Sequence, residues 1–206
     1  MNILFVCTGN TCRSPMAEAL LLHKVPNVNV QSAGIYAADH QRANTNAIKS
    51  LKEKQIDLDH RSQSVTAELI DWADIVLTMT TQHKRALIMQ FPHEQDKYFT
   101  LKEYVSDADK EVWAELKRAY ADIEEKRAQF IQENQYKLDN NVLEKELGDH
   151  LLEDIVRIHQ LESGLINYDI SDPFGGDMNI YRETLKELEH YIDLLAERVQ
   201  KEGRSD

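Results

Sequence analysis

Ile3-Leu4-Phe5-Val6-Cys7-Thr8-Gly9-Asn10-Thr11-Cys12-Arg13-Ser14-Pro15-Met16-Ala17 is the stretch that decides the fold. Ile3 to Val6 is a continuous apolar run with β-branched members, the mark of a strand buried on both faces in a parallel sheet. Thr8-Gly9-Asn10 is turn-prone. Ser14-Pro15 reads as an N-cap followed by proline at the first helical position. Met16, Ala17, Ala19, Leu20 and Leu21 supply the apolar side of the helix that follows. In open α/β sheets ligands bind beyond the carboxyl ends of the strands, where residues 7–13 fall.

Working outward, a second strand fits Val28 to Ser32, closed by Ala33-Gly34, and a helix fits Arg42 to Lys54. Ala73 to Met79 is another buried-strand run. A helix from Gln82 to Gln90 stops before Pro92, and Tyr98 to Leu101 is a shorter strand. The alternation predicts an α/β fold: a four-stranded parallel sheet flanked by helices. Residues 105–168 break the rhythm. They hold eight Lys+Arg against fifteen Asp+Glu, no proline and two glycines, Gly148 and Gly164. Val112, Leu116, Ala119 and Ile123, then Leu143, Leu147, Leu151 and Ile155, follow helical spacing. Two amphipathic helices joined near Asp139-Asn140-Asn141 are expected, with Gly164 as a stop. The whole of 1–206 then reads as one domain carrying an inserted acidic helical hairpin at 105–168. After the loop Asp172-Pro173-Phe174-Gly175-Gly176 a final amphipathic helix runs from Ile180 to Val199.

The chain has 206 residues and a net charge of −12, of which −7 lies in 105–168. Such an acid excess opposes general binding to nucleic acid or anionic membrane, which call for clustered positive charge. No segment approaches the roughly 18 apolar residues of a membrane span, and Met1-Asn2-Ile3 lacks the basic start of a signal peptide. Two cysteines are too few for a secreted disulfide scaffold. A cytoplasmic, reducing location is expected.

Both cysteines lie in the first loop, and Cys7 and Arg13 are separated by five residues between a strand and a helix start. That spacing wraps an anion with backbone N–H groups in a nest at a positive helix end. Gly9 and Asn10 tolerate the positive φ such a turn requires. Arg13 can hold two phosphate oxygens at once. Cys7 sits at the loop floor, where amide dipoles and Arg13 favour the thiolate. Ser14 is in reach to donate a hydrogen bond to that sulfur. No Gly-Lys-Ser/Thr closes the loop as in a nucleotide P-loop, and two cysteines without suitably spaced histidines make no zinc site. His60, His83 and the other histidines read as surface or fold positions.

These residues resemble the low-molecular-weight protein tyrosine phosphatase family, and more closely its bacterial protein arginine phosphatase branch. The resemblance rests on Cys7 to Ala19, Ser32-Ala33-Gly34, Asp74 to Met79, Gln82-His83-Lys84, Phe99 to Val105 and Asp172 to Gly176. It implies two-step phosphoryl transfer with no metal and no cofactor. Cys7 would be the nucleophile, Arg13 the phosphate clamp and Asp172 the general acid and base, supported by Ser14 and Asn10. Thr8, Gly9, Thr11, Cys12 and Phe174 would contact the substrate. Thr11 on the rim, where tyrosine-specific relatives carry a bulkier aliphatic residue, and Phe174, able to stack on a guanidinium, imply phosphoarginine on proteins. Phosphotyrosine is the alternative. Arsenate reductase is a poorer match because no cysteine follows Cys12. A non-catalytic phosphoprotein-binding module is disfavoured because Cys7, Arg13 and Asp172 are all present. The expected partners are phosphorylated proteins, and Cys12 is either a redox partner for Cys7 or a packed small side chain. The 105–168 hairpin is either a solvated decoration or an arm for a partner or for self-contact.

Overall fold

The computed structural model describes residues 1–106, 110–137, 139–165 and 167–202. Residues 107–109, 138 and 166 of the expected hairpin, and 203–206 at the end of the domain, lie outside the described residues. Four strands, β1 (Asn2–Cys7), β2 (Asn29–Gly34), β3 (Ile75–Thr78) and β4 (Tyr98–Thr100), form one parallel sheet in the order β2-β1-β3-β4. The sheet places β1 between two neighbours, which is why residues 3–6 are wholly buried and apolar without alternation.

The two faces of β1 nevertheless sort by period two. Ile3, Phe5 and Cys7 pack with α1 (Arg13–Lys24), α2 (Thr45–Lys52) and α8 (Met178–Glu202) through Met16, Leu20, Leu51, Leu185, Leu188 and Ile192. Leu4 and Val6 face the other side, with Ile70 of α3 (Ala67–Trp72) and Leu87 of α4 (Thr81–Gln90). Three layers result, with the sheet in the middle and the carboxyl end of β1 opening into residues 8–12.

Several local details depart from expectation. Helix α2 is shorter than Arg42 to Lys54, because Arg42 bridges Arg61 and the Asn44 amide donates to Thr11 O at 2.8 Å. The Asn44 side chain then caps the helix by accepting from Asn46 N. Helix α3, a 3₁₀ segment at Pro92–Lys97 and the short α5 (Leu101–Val105) were not expected. α3 is capped by Thr66, and α5 by a Thr100–Glu103 capping box. Ser14 is not the N-cap of α1. Cys12 holds that place, and the Ser14 hydroxyl turns to the Cys7 sulfur instead.

Two compact units divide the chain: Met1–Ser106 with Tyr168–Asp206, and Asp107–Asn167. The second consists of α6 (Lys110–Asn134) and α7 (Asn140–Gly164), each 25 residues. Leu116, Ala119 and Ile158 form its own small core, bordered by Val112, Ile123, Leu161 and Leu165. Asp139 caps α7, accepting from Asn141 N and Val142 N. Among the described residues no helix is long and apolar enough to cross a membrane.

Candidate active site

The loop after β1 closes on itself around the Cys7 sulfur. Asn10 N donates to Sγ at 3.3 Å, and Ser14 Oγ lies 3.0 Å from it. Asn10 has φ 53°, so the left-handed residue of the turn is Asn10, as expected, while Gly9 keeps a negative φ. The N-terminus of α1 has no side-chain cap and no acid in its first turn, which leaves its free N–H groups and positive dipole end for an anion.

Asn10 is fully buried, and its amide uses all of its hydrogen-bonding capacity. The backbone N–H of Gln63 donates to Oδ1 at 2.9 Å, which settles the amide's orientation. Nδ2 then donates to Ser14 Oγ at 2.9 Å and Ser32 Oγ at 2.8 Å. His60 Nε2 sits 3.0 Å from Oδ1 and 3.1 Å from Asn10 O; both are acceptors, so Nε2 carries the hydrogen. Ser14 Oγ accepts from Asn10 and sits 3.0 Å from Cys7 Sγ and 3.4 Å from Ala33 O; a thiolate, being an acceptor only, draws the Ser14 proton. A thiolate at Cys7 therefore meets two donors.

Behind this network Ser32 donates to Glu18 Oε2 at 2.6 Å. Burial pushes the Glu18 carboxyl up, partly offset by that bond, and burial pushes His60 down. Backbone pairing bolts the loop to the strand beside it: Ile35 N donates to Cys7 O at 3.0 Å and Tyr36 N to Thr8 O at 2.9 Å. Gly34 makes this approach feasible, since a Cβ there would stand 2.7 Å from Thr8 O and 2.8 Å from Asn10 N.

Arg13, the first residue of α1, is 4% exposed and lines the pocket. Its Nη2 donates to Asp172 Oδ2 at 2.8 Å and, at 3.5 Å, to Thr8 Oγ1; Nη1 donates to Ile170 O at 3.4 Å. Thr8 Oγ1 also bonds His83 Nε2 at 2.8 Å. Burial, then the nearby Arg13 charge, pushes His83 down to about 4, so the ring is neutral near pH 7. The segment bearing Asp172 is pinned on both sides. Ile170 N donates to Met79 O, Asp169 accepts from Thr81 N and Oγ1, and Ser171 bonds Glu187 and Thr184. Gly176 N donates to Pro173 O, closing a turn in which Gly175 has φ 79°.

A pocket of about 380 Å³ joins these parts, lined by Cys7, Thr8, Gly9, Thr11, Cys12, Arg13, Asp172 and Phe174 together with Tyr36, Ala38 and Gln41. Cys7 and Cys12 are both free thiols. Cys12 Sγ lies 3.2 Å from Tyr181 OH, and burial raises its thiol pKa. Ser14 and Asn10 stand behind the wall. His60 and His83, read from sequence as surface or fold positions, bond directly to this loop. Gly34, Tyr36, Gln63 and Tyr181 were also missed. Their link to the loop is made by contacts across 24 to 169 positions, and no spacing signals it. Among the described residues no cluster of metal-ligating side chains occurs.

Donors converge on the Cys7 sulfur, and the Arg13 guanidinium and Asp172 carboxyl line the same pocket, an arrangement suited to a tetrahedral anion. A model of the low molecular weight phosphotyrosine protein phosphatases matches residues 2–146. The chain is 39% identical over 202 residues to a protein-arginine-phosphatase of Geobacillus stearothermophilus, covering 98% of this chain and 97% of that one. It is 38% identical over 107 residues to the low molecular weight protein-tyrosine-phosphatase PtpB of Staphylococcus epidermidis. That match is 52% of this chain but 76% of the relative, so the relative is the shorter protein. A solved structure of the YwlE arginine phosphatase, a cysteine-to-serine mutant with a phosphorylated active-site serine, superposes with TM-score 0.69 at 35% identity over all of both chains. The chain belongs to the low molecular weight phosphotyrosine protein phosphatase family.

Proposed function

We propose that the protein removes phosphate from phosphoarginine residues of other proteins through a phosphocysteine intermediate, with no metal and no cofactor. The observation that carries the reading is the single pocket shared by Cys7, Arg13, Asp172, Thr11 and Phe174. In support, the relative matched along its whole length carries the name protein-arginine-phosphatase, whereas the tyrosine phosphatase PtpB matches over about half of this chain.

In this reading the Cys7 thiolate attacks phosphorus in line with the bond to the guanidino nitrogen. The P–N bond breaks, its electron pair goes to nitrogen, and the Asp172 carboxyl donates the proton. Loop amides and Arg13 hold the equatorial oxygens, where transition-state charge collects. Asp172, now ionised, takes a proton from water as that water attacks phosphorus, and Cys7 leaves as thiolate with Ser14 and Asn10 N donating to it. Thr8, Gly9 and Cys12 shape the phosphate seat. Thr11 presents a hydroxyl to the guanidinium where a larger aliphatic side chain would favour an aromatic ring. Phe174, 76% exposed, covers the planar group.

The cytoplasm is the proposed site of action, and phosphoproteins are the proposed partners, with no part for nucleic acid or membrane. The acidic hairpin leaves Leu152 and Val156 about half exposed, which supports a protein-contacting arm rather than a solvated decoration. The substrate reading is tested by hydrolysis of phosphoarginine and phosphotyrosine peptides of one sequence side by side, with Cys7→Ser as the inactive control. A phosphoarginine preference is expected. A phosphotyrosine preference overturns the reading.

A further inference from the structure

Among the described residues, a buried ring nitrogen beside the catalytic loop has no hydrogen-bond partner. It is Nδ1 of His83, a side chain 7% exposed. His83 is the third residue of α4, and its backbone N–H donates to the Thr80 hydroxyl at 3.1 Å, so the ring is anchored at a capped helix start. Its other nitrogen, Nε2, lies 2.8 Å from Thr8 Oγ1. A neutral imidazole carries one proton, and its two nitrogens divide the roles of donor and acceptor. A proton on Nδ1 would leave a buried N–H with no acceptor, which native structures rarely tolerate. A proton on Nε2 leaves only a bare lone pair at Nδ1. It also makes the ring a donor toward Thr8.

Thr8 Oγ1 then accepts twice, from His83 Nε2 and, at 3.5 Å, from Arg13 Nη2. A hydroxyl has two lone pairs and one proton. Both lone pairs are engaged, so the proton is left for a third partner. Thr8 lines the pocket together with Cys7 and Arg13, whereas His83 is buried outside that lining. We propose that His83 is a positioning residue for phosphoryl transfer: its Nε2–H holds the Thr8 hydroxyl so that the Thr8 proton is donated to a phosphoryl oxygen in the pocket. With the proton on Nδ1 instead, a Thr8 hydroxyl that turned to the anion would set its own lone pairs against that of Nε2. This rests on phosphoryl transfer at Cys7 and not on arginine as the substrate. It adds one side-chain donor to the loop amides and Arg13. His83 touches no reacting atom, so its whole effect passes through Thr8.

Two measurements test it. In wild type, nitrogen NMR of the His83 imidazole, with and without saturating inorganic phosphate, should show the proton on Nε2 and a bare Nδ1. A proton on Nδ1 overturns the proposal. The second is calorimetric titration with inorganic phosphate, alongside kcat/KM for p-nitrophenyl phosphate, in His83→Leu, His83→Gln, Thr8→Val and the His83→Leu/Thr8→Val double variant. His83→Leu should weaken phosphate binding and lower kcat/KM about 5- to 10-fold, the scale of one hydrogen bond to a charged group. Glutamine carries an amide donor at the same bond distance from Cα as the ring Nε2 and should restore affinity to within about twofold. Thr8→Val should lose as much as His83→Leu, and the double variant should lose no more than Thr8→Val alone. Additive losses, or an unchanged phosphate affinity in His83→Leu, overturn the proposal. If His83→Leu does not fold, the tautomer and the Thr8→Val affinity decide, and a wild-type affinity in Thr8→Val overturns it equally. A wild type that binds phosphate without hydrolysing p-nitrophenyl phosphate defeats the phosphatase reading separately, and the His83 comparison is then read on phosphate affinity with the same outcomes.

Discussion

Asn10 can be perturbed in two separable ways, through its amide and through its backbone. Replacing it with glycine keeps the φ of 53° at no cost and deletes the amide. The Gln63 N–H then loses its acceptor, and a buried orphan of that kind costs about 1–3 kcal/mol. Ser14, Ser32 and His60 each lose one ordinary bond worth about 1 kcal/mol, softened because Ser32 keeps Glu18 and His60 keeps the carbonyl of residue 10. The sum is about 3–4 kcal/mol. For a chain of this size that corresponds to a fall in Tm of roughly 6–16 °C. Alanine deletes the same bonds and adds a left-handed Cβ, so Asn10→Ala should lie about 1 kcal/mol below Asn10→Gly. Thermal unfolding by circular dichroism reads both numbers. Activity should fall further than stability explains. The amide orients Ser14, and Ser14 with Asn10 N supplies the donors to the sulfur. At a temperature where Asn10→Gly is fully folded, kcat for p-nitrophenyl phosphate should be at least about tenfold lower, the value of one charge-assisted hydrogen bond. An Asn10→Gly protein with wild-type Tm and kcat would refute the network as the organiser of the loop.

Gly34→Ala puts a Cβ within 2.9 Å of Thr8 O, Asn10 N and Ala37 Cβ, two of them backbone atoms of the catalytic loop. Overpacking of this kind costs about 1–3 kcal/mol, and titration with inorganic phosphate should show weakened binding; wild-type Tm and affinity would contradict the close approach. Asp172→Asn should lower kcat on phosphoarginine about 10²–10⁴-fold, the range for a lost general acid. It should also tighten inorganic phosphate about 2- to 5-fold, because the half-exposed carboxylate no longer competes for Arg13; weaker phosphate binding would count against that competition. His83, depressed to about 4 in the folded state by burial and Arg13, takes up its proton in the unfolded chain near 6.5. Stability is therefore present above about pH 6.5 and is lost as pH falls toward 4, by about 3 kcal/mol for a shift of this size. His83→Asn should flatten the Tm–pH curve between those limits, and parallel curves for mutant and wild type would remove this role.

Much of the site is legible because a phosphate loop is a local object. Cys7, Asn10, Thr11, Arg13 and Ser14 fall within eight residues, and the chemistry of strand end, tight turn and helix start demands those types at that spacing. The two histidines were misread for the converse reason. His60 reaches both oxygens of Asn10 and His83 reaches the Thr8 hydroxyl, from 50 and 75 positions away, and no spacing links either ring to the loop. Ser14 was misplaced as a cap because Ser-Pro at a helix start is ordinary capping chemistry. Only the position of the Cys7 sulfur shows that the hydroxyl is committed elsewhere. The short helices α3 and α5 escaped notice because one or two turns carry too few residues for a periodic signal.

By itself the sequence determined the parallel sheet, the tight loop between β1 and α1 with Cys7 and Arg13 at its ends, and the separate helical character of the acidic segment. Each depends on neighbours a few positions apart: apolar runs, turn residues and helical spacing. The resemblance already set Asp172 in one site with Arg13; the tertiary structure added their direct 2.8 Å contact across 159 positions. It also decided that Gly34 must lack a side chain to let two backbones touch, and that Tyr36 stands open at the pocket mouth. Those relations arise from long-range closure of the chain, where the sheet order β2-β1-β3-β4 brings distant segments against one loop. Short-range propensity carries no record of that closure.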